Sequence, residues 1–121
     1  MAHNFYPNII TGKPVPAQSC KTLPVVNPAN GESLGSAAAS SAPDVDAAVT
    51  AARAALDGKW ARTAPSQRTK ILFRAAQLME QRAEELALAE TRNNGKVISH
   101  VMGEIRQAIE NFEFFAGAAT K

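Results

Sequence analysis

The sequence has a single cysteine, Cys20, among 121 residues, so it cannot form an intramolecular disulfide and gives no support for an oxidising compartment. Neither sign of charge predominates, because thirteen basic and eleven acidic residues leave a formal charge of +2. That balance is too small to attract nucleic acid or a membrane surface. No apolar run approaches the ~20 residues that cross a bilayer, and the first residues lack the pattern of a signal peptide. The sequence therefore predicts a soluble, cytoplasmic protein without a nucleic-acid or membrane partner.

Residues that commonly catalyse reactions or bind metals are also few. The two histidines, His3 and His100, are far apart and have no cysteine partner, so they do not predict a zinc site. Cys20 has Lys21 as its only charged neighbour, whereas a nucleophilic thiol needs a histidine or a helix N-terminus to lower its pKa. We therefore expect an incidental thiol at Cys20. His100 and Glu104 are four residues apart on a predicted helix, which predicts a surface pair.

The other charged and aromatic groups have structural interpretations. Glu84, Glu85 and Glu90 share a helix with arginines, which is typical of a solvated face rather than of paired acid–base carboxylates. Phe112 and Phe115 fall on an apolar helical stripe, so we expect both in a core. Phe114 is expected to face outward or towards another domain.

The chain changes character near Ser40. Before it, short β-branched runs and prolines predict a small antiparallel β-ribbon over residues 1–40, in which Pro24 favours an edge strand and Asn27–Gly31 forms a turn. After it, helical periodicity predicts four helices over residues 41–121. Their expected extents are from Ser41 to a stop at Gly58, Ala64–Gln81, Ala83–Asn93 and Val97–Thr120.

The predicted helices have recognisable ends and apolar stripes. Ser41 and Asp44 have the spacing of a capping box, and Thr63 is the expected cap of the second helix, with Pro65 in its first turn. The stripe of the first helix consists of Val45, Ala48, Val49, Ala52, Ala55 and Leu56, and that of the second of Ile71, Leu72, Ala75, Leu78 and Met79. A ribbon as thin as the predicted one is not stable alone, so it is expected to pack on something larger.

Three segments carry the most specific signal. They read Asn-Pro-Ala-Asn-Gly-Glu at Asn27–Glu32, Asp-Val-Asp-Ala-Ala-Val at Asp44–Val49, and Glu-Thr-Arg-Asn-Asn-Gly-Lys at Glu90–Lys96. In this order, they resemble the opening of an aldehyde dehydrogenase. The resemblance extends from about Asn8 to Lys121 and also includes Ile10-Thr11-Gly12, Trp60, Pro65–Arg68 and the Phe-Phe-Ala-Gly run at Phe114–Gly117.

The resemblance implies a parent protein with a doubly wound, Rossmann-like α/β fold. This mostly helical chain would be the N-terminal part of its cofactor-binding domain. The parent would oxidise an aldehyde to the carboxylic acid with NAD or NADP, as a homodimer or homotetramer. The family's cysteine nucleophile, glutamate base, oxyanion-hole asparagine and dinucleotide site fall beyond this chain. We therefore expect no catalytic or cofactor-binding residue here and no activity from the chain alone. The residues that choose the aldehyde, and NAD over NADP, are expected elsewhere.

One binding hypothesis concerns this chain itself. Several family members hold a monovalent cation between backbone carbonyls before the Asn-Pro turn and an aspartate in the third segment. The matching positions are Val25, Val26 and Asn93. Asn93 is neutral where the family has an aspartate, so it offers an oxygen without the attractive charge. The alternative is that Asn93 caps the C-terminus of its helix.

Another class of function is a self-contained helical interaction module whose helices bury their stripes on each other. The ribbon argues against it, because a free-standing helical module has little use for about thirty proline-rich residues. If the stripes instead match a larger body, the isolated chain is expected to self-associate or to be marginally stable.

Overall fold

The computed structural model describes residues 4–118. They form two compact units that divide between Arg62 and Thr63. The first unit holds all the described strands and one helix, and the second holds three helices. The first helix therefore groups with the strands, although the composition of the sequence changes near Ser40. His3 and the expected end of the last helix at Thr120 lie outside the described residues.

The first unit contains two small sheets. Their strands are β1 Phe5–Tyr6, β2 Asn8–Ile10, β3 Lys13–Val15, β4 Thr22–Val26 and β5 Ser33–Ala38. One sheet has the order β1-β5-β4, with β4 antiparallel and β1 parallel to the central strand β5. The other is the antiparallel hairpin β2-β3. The predicted ribbon is thus confirmed as β4-β5, with Pro24 on an edge strand, whereas β1 and β3 were not predicted.

The β2-β3 hairpin has a two-residue turn between the paired residues Ile10 and Lys13. Thr11 and Gly12 both have positive φ, at 54° and 73°. Two such residues in a two-residue loop are the mark of a type I′ turn, whose twist matches the flanking strands. Glycine adopts this conformation freely, but a β-branched threonine does so only at a cost.

A glycine also sets the spacing inside the three-stranded sheet. Gly35 lies in β5 with a φ of 139° and is buried. A Cβ at this position would lie 2.2 Å from the backbone oxygen of Asn4. That same oxygen accepts a hydrogen bond from the backbone N–H of Ser36 at 2.9 Å. The absence of a side chain at Gly35 therefore lets the start of the described chain approach β5.

The helix of the first unit, α1, spans Ala42–Asp57 and begins where the capping residues predicted. Ser41 is the N-cap in an extended conformation, and the helix ends before Gly58. The apolar stripe predicted for α1 is largely exposed within residues 4–118, since Val45, Val49 and Leu56 are 54%, 47% and 67% exposed.

The second unit consists of α2 Pro65–Gln81, α3 Ala83–Asn94 and α4 Ile98–Ala118. The N-cap of α2 is Ala64 rather than the expected Thr63, because Pro65 itself takes the first helical position, which its fixed φ favours. The chain passes from α2 to α3 through the single residue Arg82. Helix α3 ends on Gly95, which adopts the left-handed conformation and donates its N–H to the Thr91 carbonyl.

Small residues form the core of the second unit. The buried apolar positions there are Ala76, Ala87, Val101 and Ala116, and Val101 is the largest fully buried side chain in the described part of the chain. Helices α2 and α4 also meet through the Thr69 hydroxyl, which donates to the Ala116 carbonyl at 2.8 Å. Alanines at these positions let helix backbones come close together.

The expectation that Phe112 and Phe115 are core residues is wrong for the described residues, since they are 36% and 61% exposed. On the stripe of α4, Val101 and Ala116 are buried, whereas the larger Phe112 and Phe115 side chains keep part of their surface exposed. Phe114 is exposed as expected and contacts Phe115 edge to face, with ring centroids 5.4 Å apart. Among residues 4–118, no helix has both the length and the apolar character that a membrane span requires.

Candidate functional site

The first of the three motifs forms a tightly bonded turn between β4 and β5. The backbone N–H of Asn27 donates to the Glu32 carbonyl at 2.8 Å, and Gly31 N–H donates back to the Asn27 carbonyl at 2.8 Å. The Asn27 side chain accepts from Ala29 N–H, and the Asn30 side chain accepts from Glu32 N–H, both at 3.0 Å. These hydrogen bonds join groups of the turn to one another. The motif therefore serves in the structure to connect β4 and β5 rather than to offer hydrogen-bond donors to a ligand.

The second motif anchors α1 through a buried carboxylate. Asp44 accepts hydrogen bonds from the Ser41 N–H and the Ser41 hydroxyl, both at 2.8 Å, and from the Gln18 N–H at 2.9 Å. These hydrogen bonds lower the pKa of Asp44. The bond from the Ser41 backbone has the largest effect and the bond from Gln18 the next largest, whereas burial of the carboxylate acts to raise the pKa. The carboxylate therefore joins the first turn of α1 to the loop before β4, a long-range link that the capping pattern did not predict.

The third motif forms a polar network at the turn between α3 and α4. Asn94 accepts from the Lys96 N–H at 2.8 Å and donates to Glu90 at 2.6 Å. The Lys96 ammonium group bonds both carboxylate oxygens of Glu104, at 2.8 and 2.9 Å. The hydrogen bond to Glu104 is the largest cause of the raised pKa of Lys96. The side chains of this network are exposed, as is typical of hydrogen bonds that hold a surface turn, here the one between α3 and α4.

One expected charged pair differs from the structure, and the other charged residues lie on an exposed face. Glu104 pairs with Lys96 rather than with His100 as expected, since the turn after α3 brings the lysine back along α4. Glu85 pairs with Arg82, which lowers the pKa of Glu85 and raises that of Arg82 chiefly through their side-chain hydrogen bonds. Glu84, Glu85 and Glu90 are all exposed, as predicted for a solvated face.

Cys20 lies in the loop between β3 and β4, where its thiol is exposed. Its φ of 55° places it in a turn that is closed by a bond from its N–H to the Ala17 carbonyl. Within residues 4–118, no group of three or more histidine, cysteine, aspartate or glutamate side chains is arranged to hold a metal ion.

The residues of the cation hypothesis lie in different units. Val25 and Val26 lie in β4, on either side of an irregularity in its pairing with β5, and Asn93 is an exposed residue in the last turn of α3. The alternative role for Asn93 is wrong, because Gly95 ends the helix and the Asn94 side chain bonds the turn. The cation site itself stays a prediction.

An open cavity of about 770 Å³ lies where the end of α2 and the start of α3 meet α4. Five glutamates contribute to its lining, with Met102, Ile109 and the arginines Arg82 and Arg106. We did not predict this cavity, although Glu80, Glu84 and Glu85 signal an acidic helix corner. Its groups show no pairing of a nucleophile with a base, so its geometry does not indicate catalysis.

Comparison with known proteins identifies the family. The model of the aldehyde dehydrogenase family matches residues 15–121. Phenylacetaldehyde dehydrogenase of Pseudomonas fluorescens is 44% identical over 115 residues, and malonate-semialdehyde dehydrogenase 1 of Geobacillus thermodenitrificans is 43% identical over 113. Each match includes 93% of this chain and 23% of the relative.

Solved structures agree with this result. The crystal structure of an NAD-dependent aldehyde dehydrogenase from Sinorhizobium meliloti superposes with a TM-score of 0.92 at 38% identity, over 98% of this chain and 24% of the other. The chain thus spans about a quarter of the length of these relatives. Because the family match includes nearly the whole sequence, this chain belongs to the aldehyde dehydrogenase family, as an N-terminal segment of it.

Proposed function

We propose that this chain is the N-terminal segment of an NAD(P)-dependent aldehyde dehydrogenase that oxidises an aldehyde to its carboxylic acid. The observation that carries the proposal is the family match over residues 15–121. A structural relative described as NAD-dependent, at 38% identity over 98% of this chain, supports nicotinamide chemistry in the whole protein. NAD and NADP both remain candidates, and the aldehyde is left open.

The proposed role of the segment is structural. We expect the cysteine, glutamate and dinucleotide site of the family to lie outside these residues, so this chain alone has no dehydrogenase activity. The exposed position of Cys20 in a loop supports this, because no basic side chain other than that of Lys21 adjoins it in sequence. The whole protein is proposed to be a cytoplasmic homodimer or homotetramer.

The cation site is part of the proposal as well. Carbonyls of Val25 and Val26, together with the Asn93 amide oxygen, would supply the neutral oxygen ligands that a monovalent cation accepts. Asn93→Asp would add the missing charge. In the whole subunit we expect this variant to bind Na⁺ or K⁺ at least tenfold more tightly, as measured by the salt dependence of its melting temperature against a choline control. Equal cation dependence of the variant and the parent would contradict the site.

The helical interaction module is less well supported. It requires four helices that bury their stripes on each other. The structure instead groups α1 with the strands, and the stripe of α1 is exposed. No observation on residues 4–118 favours this second function.

A fusion enzyme tests the proposal. The matched segment of the Pseudomonas fluorescens relative is replaced by this chain, and NADH or NADPH formation is followed at 340 nm with phenylacetaldehyde. We expect turnover within about tenfold of the parent enzyme, and none from the isolated chain. A fusion that is folded and binds the cofactor but does not turn over would contradict the proposal, as would activity of the isolated chain.

A further inference from the structure

Two asparagines in the chain are followed directly by glycine. They are Asn30, before Gly31, and Asn94, before Gly95. In this dipeptide the backbone nitrogen of the second residue can attack the side-chain amide of the first, because glycine has no side chain to obstruct the approach. Both asparagines are exposed to water. Sequence and exposure therefore indicate two candidate sites for the same spontaneous reaction.

The two sites have the same local hydrogen bonds. Each asparagine side-chain oxygen accepts the backbone N–H two residues ahead, from Glu32 at 3.0 Å and from Lys96 at 2.8 Å. Each side-chain nitrogen donates to a glutamate, Asn30 to Glu32 at 3.0 Å and Asn94 to Glu90 at 2.6 Å. Each glycine N–H donates to the carbonyl four residues before it, at 2.8 and 2.9 Å. The attacking nitrogen and the attacked amide are thus held in other bonds, so either site must open locally before it reacts.

Opening at Asn94 requires the end of a packed helix to unwind. Asn94 is the last residue of α3, which has 12 residues and is anchored in the core of the second unit by the fully buried Ala87. The turn that follows is also held by the ion pair of Lys96 with Glu104, at 2.8 Å. Because a hydrogen-bonded and packed element opens rarely, the reactive arrangement is seldom reached at Asn94.

Opening at Asn30 disturbs only a short surface turn. Residues 28–30 lie outside the strands and are exposed, so their release uncovers no core residue. The N–H of Asn30 lies 3.4 Å from the Asn27 carbonyl oxygen, which makes a long and weak hydrogen bond. The pairing of β4 with β5 is already irregular next to the turn, between Val25 and Val26. An exposed turn with little buried surface belongs to the least stable parts of a fold, so Asn30 opens more often than Asn94.

We propose that Asn30 is a site of spontaneous deamidation in the folded chain and that it reacts several-fold faster than Asn94. The Gly31 nitrogen forms a bond to Cγ of Asn30, and its proton passes through water to the leaving nitrogen. The bond from Cγ to Nδ2 breaks, and ammonia leaves. Water then opens the resulting cyclic imide at either carbonyl, which gives aspartate or isoaspartate. Nothing is oxidised or reduced, water is the co-reactant, and the proposal does not depend on the proposed function.

The reaction at Asn30 also changes the turn that it modifies. The amide nitrogen that donates to the Glu32 carboxylate at 3.0 Å is lost, and a second negative group takes its place. Residues 27–32 contain no lysine or arginine to offset this repulsion, whereas Lys96 lies two residues after Asn94. Isoaspartate, in addition, inserts a carbon into the backbone of the turn. Deamidation at Asn30 therefore loosens the connection between β4 and β5, and it does so irreversibly.

Peptide mapping tests the order of the two sites. The chain is kept at mildly alkaline pH, once folded and once unfolded in guanidinium chloride, and mass spectrometry of its proteolytic peptides follows the conversion of each asparagine. The rate in the folded chain is divided by the rate at the same site in the unfolded chain, which removes the intrinsic reactivity of the dipeptide. We expect this ratio to be several-fold higher at Asn30 than at Asn94. Equal ratios, a higher ratio at Asn94, or no conversion of Asn30 in the folded chain would overturn the proposal.

Two matched variants assign the modification. Asn30→Ser removes the reacting amide but leaves a hydroxyl oxygen that can accept the Glu32 N–H, and Asn94→Ser makes the same change at the other turn. In isoelectric focusing, the unmodified chain and Asn94→Ser should gain an acidic form at nearly the same rate, whereas Asn30→Ser should gain it several-fold more slowly. If Asn30→Ser became acidic as fast as the unmodified chain, Asn30 would not be the site and the proposal would fail.

Discussion

Replacing Gly35 with alanine should disrupt the three-stranded sheet, because two separate costs coincide at that position. The new Cβ would lie 2.2 Å from the Asn4 oxygen, so the chain at Asn4 must retreat by about 1 Å to restore van der Waals contact. This movement weakens the 2.9 Å bond from Ser36 N–H to the same oxygen, which is worth about 1 kcal/mol. A φ of 139° adds about 1–3 kcal/mol of strain for a residue with a side chain.

The expected loss is therefore about 2–4 kcal/mol in the free energy of unfolding of the first unit. Gly31→Ala is the matched control, since Gly31 also has a positive φ, 73°, but nothing lies within 4 Å of its Cβ position. This variant has strain alone and should lose about 1 kcal/mol. The difference between the two variants measures the close approach of Asn4.

Urea unfolding followed by circular dichroism gives the two free energies, and hydrogen exchange of the Ser36 amide reports the bond directly. We expect fast exchange at Ser36 in Gly35→Ala and protection in Gly31→Ala. Equal stabilities of the two variants, with Ser36 protected in both, would refute the reasoning, because the approach of Asn4 would then impose no constraint.

Three further predictions concern single residues. Thr11→Asn should raise the free energy of unfolding by about 1 kcal/mol in urea, because asparagine tolerates the positive φ of a type I′ turn. If Thr11→Asn were no more stable than Thr11→Val, that result would count against this reason. Asp44 has a lowered folded pKa, so its contribution to stability is complete above the unfolded pKa of about 4 and is lost as the pH falls through the folded value. The parent should therefore lose more stability than Asp44→Asn between pH 5 and pH 2, and parallel profiles would contradict this. The Thr91 hydroxyl is buried without a hydrogen-bond partner in residues 4–118, so Thr91→Val should raise the free energy of unfolding. Thr69→Val loses the bond to Ala116 and should lower it, each change being about 1 kcal/mol in urea unfolding; changes of the same sign would disprove the distinction.

The helices could be predicted because their signals are local. Ser41, Asp44, Gly58 and Gly95 mark ends that depend on a few adjacent residues, and the structure places the ends there. The strands β1 and β3 have only two and three residues, which is too short for a periodic pattern. Their pairing depends on distant partners that a local pattern cannot indicate.

The polar contacts and the buried faces were harder to predict. The Lys96–Glu104 pair spans eight residues around a turn, so helical spacing favoured His100 instead. Apolar periodicity located the stripes of α1 and α2, but it does not say what covers them. Burial at Ala76 rather than at Ile71 and Leu78 follows from the close approach of helices, which large side chains prevent.

The alanine core of the second unit has a consequence for how this segment can vary. Where helices pack through Ala76, Ala87 and Ala116, each of which is at most 1% exposed, even one added methylene must push a backbone aside. In the chain on its own, the large aliphatic side chains Ile71 and Leu78 of α2 are exposed, so one aliphatic side chain can replace another there without displacing a neighbour. In many proteins the large apolar side chains tolerate substitution least. In this unit we expect the reverse, with the buried alanines the least replaceable and the large exposed aliphatic residues the most interchangeable.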